Sequence, residues 1–148
     1  MPYVDPQTRI QQMLERLREQ KFRITPQRLA VVKILARSEN HPSVEMIFEQ
    51  VRRDFPTTSL ATIYKTISLL KDLGEVLELG FPEGGNRFDG NNPAPHPHMI
   101  CVRCKKIVDP PLEALSGLTR EASQKTGYTI LSHRLDFFGI CPECKKNN

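Results

Sequence analysis

The stretch that decides the fold runs from Pro42 to Gly74 and reads PSVEMIFEQVRRDFPTTSLATIYKTISLLKDLG. Its apolar residues recur at the i, i+3, i+4, i+7 spacing of two amphipathic helices, with Ser43 at the start of the first and Thr58 or Ser59 as N-cap of the second. The first helix is expected to stop before Pro56, because the residue preceding a proline disfavours the helical region. Two helices joined by a short turn predict a helix-turn-helix, whose second helix enters the DNA major groove.

The second helix of this pair is expected to bury one face and to expose the other. The residues expected inside are Leu60, Ile63, Ile67 and Leu70. Those expected outside are Ala61, Thr62, Lys65 and Ser68, with Tyr64 at the border. Small polar and cationic side chains can approach base edges and phosphates, so this surface favours DNA binding. Amphipathic helices in a row would also suit a plain helical bundle.

Elements on either side complete the pattern of a winged helix. An upstream helix places apolar residues on one stripe, at Ile10, Met13, Leu14 and Leu17. Another helix begins at the N-cap Thr25, with Pro26 in its first turn. Downstream, Gly74 is the expected helix stop, and a hairpin follows with its turn at Pro82–Gly85. The first domain is therefore predicted to span residues 1–88.

Residues 89–97 read DGNNPAPHP and predict a hinge, since three prolines among nine residues suit neither a helix nor an inner strand. Residues 98–148 are predicted to form a second, smaller domain. Its expected elements are strands around 98–101, 106–108 and 128–140 and a helix over about 112–125. About fifty residues can bury little apolar surface, so this domain needs a cross-link or a partner.

Four cysteines form the sharpest motif in the sequence, as Cys101-Val-Arg-Cys104 and Cys141-Pro-Glu-Cys144. Each CxxC pair offers two thiolates on a tight turn, and two pairs complete the closed tetrahedral site that structural zinc prefers. The competing interpretation is a thioredoxin-like redox pair, which needs a CxxC at a helix N-terminus within a βαβ unit, and neither pair is expected there. We therefore predict a four-cysteine Zn²⁺ site that stabilises the second domain.

Three histidines and two aspartates indicate a second kind of site. His96 and His98 form an HxH motif on an extended segment, which places both side chains on one face because a strand has a period of two. His41 precedes the third helix, Asp89 ends the wing, and Asp109 follows the first CxxC pair. Imidazoles and carboxylates without a thiolate suit Fe²⁺, Mn²⁺ or another divalent ion of intermediate hardness. Spacing alone leaves open whether His41 reaches the others.

Composition bounds the class of protein. Of the 148 residues, 39% are hydrophobic and 26% are charged, a balance typical of a soluble globular protein. No apolar run approaches the ~20 residues of a membrane span, and the N-terminus lacks a signal-peptide layout, so a cytoplasmic protein with reduced thiols is expected. Residues 1–37 carry eight Lys/Arg against three Asp/Glu, a weak sign of phosphate binding that equally suits a solvated helix face.

Several motifs occur in one order over nearly the whole chain. They are ITPQR at 24–28, HPS at 41–43, SLATIYK at 59–65, RFD at 87–89, HPHMICVRC at 96–104 and CPEC at 141–144. With these motifs the chain resembles the ferric uptake regulator (Fur) family, whose members are homodimeric, metal-dependent winged-helix repressors of palindromic operators in double-stranded DNA. The resemblance implies an α+β fold, in which an N-terminal winged helix-turn-helix domain precedes a small α/β dimerisation domain with the four-cysteine zinc site.

The resemblance also implies which side chains contact DNA. The fourth helix would be the recognition helix, with Tyr64 touching bases and with Thr62 and Lys65 on the same exposed surface. Arg23 and Arg28, near the second helix, would lie toward phosphates.

Within the family, the pattern is most similar to the peroxide-responsive (PerR) branch. The resemblance implies a regulatory Fe²⁺ or Mn²⁺ ion whose ligands are His41, Asp89, His96, His98 and Asp109. Iron-sensing members tend to carry Glu where Asp89 and Asp109 stand, which favours the peroxide-responsive branch. There, peroxide oxidises an imidazole ligand of Fe²⁺, by resemblance His41 or His96, so that the ion is lost and DNA is released.

Two features depart from the family pattern. The family's third metal site uses acidic or His side chains where this chain has Pro95, Pro97 and Ser116. Only His133 of that site remains, so the site is expected to be absent and His133 to be structural. Lys65 differs from the peroxide sensors, which leaves the preferred operator open.

The function expected from the sequence is that of a non-enzymatic DNA-binding repressor that senses hydrogen peroxide, with no membrane partner and no other small-molecule substrate. One alternative is an iron- or zinc-responsive repressor of the same architecture without peroxide sensing. A second is a metal-dependent hydrolase built on the HxH motif, which lacks a Glu or further His beside it to serve as a base. A third is a zinc-stabilised protein-interaction module that does not bind DNA.

Overall fold

The computed structural model describes residues 4–81 and 85–147 and has an α+β architecture. The chain divides into two compact units, an N-terminal unit over residues 2–94 and a C-terminal unit over residues 95–148. Among the described residues, no helix has both the length and the apolar character that a bilayer crossing requires.

Four helices open the N-terminal unit: α1 (Pro6–Glu19), α2 (Pro26–Arg37), α3 (Val44–Asp54) and α4 (Leu60–Asp72). Each begins at a side chain that accepts a hydrogen bond from the backbone N–H three residues later, namely Asp5, Thr25, Ser43 and Ser59. Such caps satisfy donors that have no partner within the helix. The helix starts predicted at Thr25, Ser43 and Ser59 are therefore confirmed.

The core of the N-terminal unit is built from the apolar stripes of these helices. The four residues predicted to be buried in α1 are buried, as are Ile63, Ile67 and Leu70 of α4. Leu60 was expected inside and is 38% exposed. It is the first residue of α4, and helical side chains tilt toward the N-terminus, so its side chain projects past the packed part of the helix. The buried stripe of α4 therefore begins one turn later, at Ile63.

A two-stranded wing follows α4. Gly74 has a φ of +75° and ends the helix, with the Glu75 N–H donating to the Leu70 carbonyl at 2.9 Å, as in a Schellman motif. Strand β1 (Leu77–Leu79) then pairs antiparallel with β2 (Arg87–Asp89). The predicted hairpin is confirmed, but Pro82–Gly84 of its predicted turn lie outside the described residues.

The C-terminal unit contains β3 (His98–Cys101), β4 (Ile107–Val108), α5 (Leu115–Thr126), β5 (Asp136–Gly139) and α6 (Pro142–Lys146). The strands form one sheet in the order β4-β3-β5, with β3 antiparallel to β4 and parallel to β5. Among its described residues, the buried apolar side chains are few, namely Ile100, Cys101 and Ile107. A core of this size stabilises a domain weakly, as the sequence predicted.

Two predicted elements of the C-terminal unit are observed with different bounds. The strand expected over residues 128–140 is observed only at Asp136–Gly139, because β3 beside it offers only four residues for pairing. The helix expected from about Leu112 begins at Leu115, since the Leu112 N–H donates to the Pro110 carbonyl in a tight turn.

Candidate metal centres

Four cysteine sulfurs of the C-terminal unit form a closed cluster, within which every sulfur lies within 4.8 Å of the others. Two of the contacts, Cys101 Sγ to Cys144 Sγ and Cys104 Sγ to Cys141 Sγ, measure 3.8 Å. A disulfide would need about 2.05 Å. A tetrahedral Zn²⁺ ion with Zn–S bonds of about 2.3 Å holds its sulfurs about 3.8 Å apart. The cluster therefore fits the predicted zinc site.

Backbone hydrogen bonds favour the thiolate form of one cysteine in this cluster. The Cys101 sulfur accepts from the backbone N–H of Cys104 at 3.5 Å and of Cys141 at 3.4 Å. These bonds lower the pKa of Cys101 to about 5. A side-chain hydrogen bond with Cys141, followed by burial and by hydrogen bonds with Cys101 and Cys104, raises the pKa of Cys144 to about 12, because each favours the neutral thiol. A bound divalent cation would favour the charged form instead and allow all four thiolates to form.

The second CxxC pair meets one of the two requirements of a thioredoxin-like redox pair and fails the other. Cys141 is the N-cap of α6, so the second CxxC pair does lie at a helix N-terminus. However, α6 has five residues, and no strand follows it in the described part of the chain, so there is no βαβ unit. The contacts between the two pairs favour a metal site.

His41 and Asp89 meet in the N-terminal unit. His41 Nε2 lies 3.4 Å from Asp89 Oδ2, with the two side chains only 3% and 2% exposed. The other carboxylate oxygen, Oδ1, accepts the backbone N–H groups of Asn91 and Asn92 at 2.9 Å each. Asp89 is therefore held in one orientation, with Oδ2 facing the imidazole.

Arg87 holds the backbone of His41. The φ of His41 is +50°, a left-handed conformation that costs a non-glycine residue about 1 kcal/mol. The Arg87 guanidinium donates from Nε to the His41 carbonyl and from a terminal nitrogen to the Asn40 carbonyl at 2.6 Å. Because Arg87 and Asp89 both belong to β2, the same strand carries the carboxylate and fixes the loop that bears the imidazole.

His96, His98 and Asp109 meet in the C-terminal unit. His96 Nε2 lies 3.2 Å from Asp109 Oδ2, and His98 Nε2 lies 3.7 Å from Asp109 Oδ1. The two rings lie 4.4 Å apart, and their side chains are 5% and 2% exposed. Two buried imidazoles thus share a single carboxylate.

These donor sets fit a divalent ion of intermediate hardness. The structure places two of the five predicted ligands in the N-terminal unit and three in the C-terminal unit. Within each unit, imidazole nitrogen and carboxylate oxygen lie 3.2–3.7 Å apart. Neighbouring ligands of an octahedral ion with bonds of about 2.1 Å are about 3 Å apart, so within each unit the imidazole and the carboxylate could share an ion after a small contraction. Nitrogen and oxygen donors without sulfur suit Fe²⁺ and Mn²⁺.

Sequence reasoning missed Asp136, which contacts a predicted ligand. Its Oδ1 lies 3.3 Å from His98 Nδ1, on the side of the ring away from Nε2. The available signal was a carboxylate in an otherwise apolar strand, Leu135-Asp136-Phe137-Phe138.

The residues predicted to contact DNA lie at the surface of the N-terminal unit. Thr62, Tyr64 and Lys65 are exposed on α4, and Tyr64 is 48% exposed. Arg23 is exposed, whereas Arg28 is half-buried and donates to the Arg23 carbonyl at 2.7 Å. Their contact with DNA stays a prediction.

His133 lies beside an open cavity of the C-terminal unit. Pro95, Ser116 and His133 are among the residues lining this cavity of about 520 Å³, and its lining contains no carboxylate or thiol. The His133 Nε2 atom is buried and has no hydrogen-bond partner among the described residues. That the third metal site is absent stays a prediction.

Both the sequence and the fold of this chain are similar to those of known proteins. The model of the ferric uptake regulator family matches residues 19–138. The peroxide-responsive repressor PerR of Staphylococcus aureus (strain Mu50) is 38% identical over 136 residues, which cover 92% of this chain and 91% of that protein. A PerR structure from Streptococcus pyogenes is 32% identical with a TM-score of 0.53, over 97% of this chain and 95% of that one.

The fold is also similar to that of a more distant protein. The ferric uptake regulator Fur of Helicobacter pylori matches with a TM-score of 0.81 at 24% identity, over 98% of this chain and 97% of that one. With motifs, donor clusters, family model and relatives in agreement, the chain belongs to the ferric uptake regulator family.

Proposed function

We propose that this protein is a metal-responsive repressor of transcription that binds operator DNA as a homodimer and responds to hydrogen peroxide. The observation that carries the proposal is that three buried imidazoles each face a carboxylate: His41 faces the buried Asp89, and His96 and His98 face Asp109, whose side chain is 36% exposed. PerR relatives at 38% identity support the peroxide response.

The regulatory ion would be Fe²⁺ or Mn²⁺, with ligands His41, Asp89, His96, His98 and Asp109. The buried carboxylate of Asp89 needs a compensating charge or hydrogen bonds, and a bound cation would supply that charge. The more exposed Asp109 would be the second anionic ligand. Zn²⁺ would occupy the cysteine cluster, whose four sulfurs have the spacing of a tetrahedral zinc site.

DNA would be read by α4. This helix buries Ile63, Ile67 and Leu70 in the core, so its opposite face is fixed toward solvent and presents Thr62, Tyr64 and Lys65. A rigidly packed helix with an exposed polar face is the arrangement that helix-turn-helix proteins place in the major groove. The wing, β1 and β2, follows directly along the chain.

Metal binding would change the affinity for DNA because the proposed ligands come from both units. We assign residues 1–88 to DNA binding, 89–97 to a hinge and 98–148 to dimerisation. Ligands from both units would hold the two recognition helices of the dimer about one helical turn of DNA apart, ~34 Å, when the ion is bound. Without the ion the hinge would allow other spacings, so DNA affinity would fall. By linkage, DNA must then tighten metal binding by the same factor.

The peroxide response would depend on the imidazole ligands. Fe²⁺ held by these ligands would activate peroxide, a reaction that Mn²⁺ does not readily support. One peroxide oxygen would be inserted into a ring C–H bond of His41 or His96 and the other would leave as water, so that the imidazole is oxidised by two electrons and peroxide is reduced by two. An oxidised imidazole binds metal poorly. The ion would then be lost and the repressor would leave its operator.

Duplex binding by the iron-loaded and manganese-loaded proteins, each before and after peroxide, tests this proposal. The probe is a duplex selected from a random-sequence pool with the manganese-loaded protein. We expect both forms to bind, and only the iron form to lose binding after peroxide, with added oxygen found on His41 or His96 by mass spectrometry.

Two other outcomes would replace the proposal. Release only on metal removal, with no oxidised histidine, would identify an iron- or zinc-responsive repressor. Failure to bind any duplex at low salt, where phosphate contacts are strongest, would favour a zinc-stabilised interaction module.

A further inference from the structure

His98 and Asp136 are brought together by strand pairing. Strand β3 runs parallel to β5 with His98 opposite Asp136, and the His98 N–H donates to the Leu135 carbonyl at 3.1 Å. The register of this pair is therefore fixed by a backbone hydrogen bond at the position where the two side chains meet. A shift of one residue would turn the Asp136 side chain to the other face of the sheet.

The contact between the two side chains is buried. His98 Nδ1 lies 3.3 Å from Asp136 Oδ1, and the side chains are 2% and 7% exposed. A carboxylate removed from water is costly unless it accepts hydrogen bonds, so Asp136 favours the ring tautomer that carries a proton on Nδ1.

Arg134 fixes the other oxygen of the same carboxylate. Its Nε donates to Asp136 Oδ2 at 2.6 Å, whereas Oδ1 faces the imidazole. Each oxygen of Asp136 therefore has its own partner, and rotation of the carboxylate would break the bond to Arg134. This arrangement holds the acceptor in one position beside His98.

The opposite nitrogen of the ring points to the predicted ligand cluster. His98 Nε2 lies 3.7 Å from Asp109 Oδ1. In a neutral imidazole with its proton on Nδ1, Nε2 carries the lone pair that binds a metal ion. Carboxylates that accept from the distal N–H of a ligating histidine fix its tautomer and raise its basicity.

We propose that Asp136, anchored by Arg134, is a positioning residue for the regulatory metal: it holds the proton of His98 on Nδ1, so that the lone pair of Nε2 can bind the ion. The proposal rests on the proposed function, because it assigns His98 as a ligand. It adds a residue to the site that is not itself in the predicted ligand set.

Asp136→Ala and Asp136→Asn test this role against a matched control, Glu121→Gln. Glu121 carries an exposed carboxylate in the same unit and pairs with Lys125 at 2.7 Å on α5, a helix that holds none of the predicted ligands. Each protein is prepared with zinc bound, and its zinc content and circular dichroism establish that it is folded. Asp136→Asn keeps the side-chain volume and an acceptor oxygen, so it carries the test if Asp136→Ala does not fold.

The first readout is the ring ¹⁵N spectrum of His98 without manganese, at about pH 8.5, where an ordinary imidazole is neutral. Comparison with His98→Gln assigns the signals. We expect the Nδ1–H tautomer in the parent protein and in Glu121→Gln, and a shift toward Nε2–H in Asp136→Ala. An Nε2–H tautomer in the parent protein would overturn the proposal.

The second readout is Mn²⁺ affinity, measured from the electron paramagnetic resonance signal of free Mn²⁺. Loss of a carboxylate behind a ligating histidine weakens metal binding about 10- to 100-fold, which we expect for Asp136→Ala. The effect of Asp136→Asn should be smaller and that of Glu121→Gln negligible. Unchanged Mn²⁺ affinity in Asp136→Ala would contradict the positioning role of Asp136 but not the proposed function. If the parent protein binds no Mn²⁺, the proposed function fails, and the ring tautomer still decides whether Asp136 orients His98.

Discussion

Asp89 divides its two carboxylate oxygens between the backbone and His41. Oδ1 accepts two N–H groups of the following turn, and Oδ2 lies 3.4 Å from the imidazole. Burial would make an isolated carboxylate costly, so both oxygens must have partners. Oδ1 therefore stabilises the turn, whereas Oδ2 would bind the metal ion in the proposed function.

Asp89→Asn and Asp89→Ala separate these two roles. The amide oxygen of Asn can still accept from the turn, so Asp89→Asn should keep the free energy of unfolding within about 1 kcal/mol while losing tight Mn²⁺ binding. Asp89→Ala should also leave a folded protein, but one destabilised by about 1–3 kcal/mol because the turn N–H groups lose their acceptor. Urea unfolding and Mn²⁺ titration measure the two effects, with Asp72→Asn, an exposed carboxylate of the same unit, as control. Unfolding of both Asp89 variants would make its role structural, and unchanged Mn²⁺ affinity would remove it from the ligand set.

Cys141→Ser tests the zinc cluster at a single atom. Serine is a good N-cap, so it can replace the Cys141 sulfur that accepts the Cys144 N–H at 3.4 Å, but it does not supply a thiolate. We expect zinc to be lost and the C-terminal unit to unfold, because its apolar core is small. Zinc analysis and hydrogen exchange check this, with the N-terminal unit serving as the internal control. Retention of structure in residues 95–148 after zinc loss would contradict the stabilising role.

At the scale of the element, α4 combines a buried face with an exposed one. Ile63, Ile67 and Leu70 are buried, whereas Lys65 and Lys71 are exposed. The two lysines differ in their surroundings, because Lys71 pairs with Glu78 of the wing at 2.6 Å. Because both carry one positive charge on the same helix, Lys71 is a suitable control for Lys65.

Lys65→Ala should weaken binding of the manganese-loaded protein to its selected duplex. If Lys65 contacts a phosphate, its loss should reduce the slope of log affinity against log salt by about 1, at similar cost for different sequences. Lys71→Ala should have little effect, since Lys71 lies in the last turn of α4 and is paired with Glu78. Fluorescence anisotropy at several salt concentrations measures both. Equal losses for the two variants would mean that charge on the helix matters, and that Lys65 has no specific contact.

The helices of the N-terminal unit could be predicted from the sequence because their signals are local. Thr25, Ser43 and Ser59 cap helices within three residues of themselves, and apolar stripes repeat within two turns. Strand β5 could not, since its length is set by pairing with β3, which lies almost forty residues earlier. Residues 128–135 carry a strand-like pattern but have no strand assignment in the structure.

Prediction of the sites followed the same rule. The four-cysteine cluster could be predicted because each CxxC pair is local and because zinc has a fixed preference for four sulfurs. The contact between His98 and Asp136 joins residues 38 apart, and that between Arg87 and His41 joins residues 46 apart. No sequence motif marks either contact, so the residues that hold the predicted ligands in place could be identified only from the structure.

In the whole molecule, we propose, two kinds of metal ion have different roles. The cysteine cluster draws all four ligands from the C-terminal unit and would stabilise it. The second ion would draw ligands from both units, so its occupancy would be coupled to their arrangement and hence to DNA affinity. An ion whose ligands all belong to one unit would not couple metal occupancy to DNA affinity in this way.

A crystal structure of the manganese-loaded, zinc-containing protein, with anomalous diffraction recorded at the manganese edge, would show whether one ion takes ligands from both units. We expect one manganese ion per chain, bonded at about 2.1–2.2 Å to His41, Asp89, His96, His98 and Asp109. A manganese ion bound to ligands of one unit alone, with His41 remote from it, would contradict the proposed coupling of metal and DNA binding.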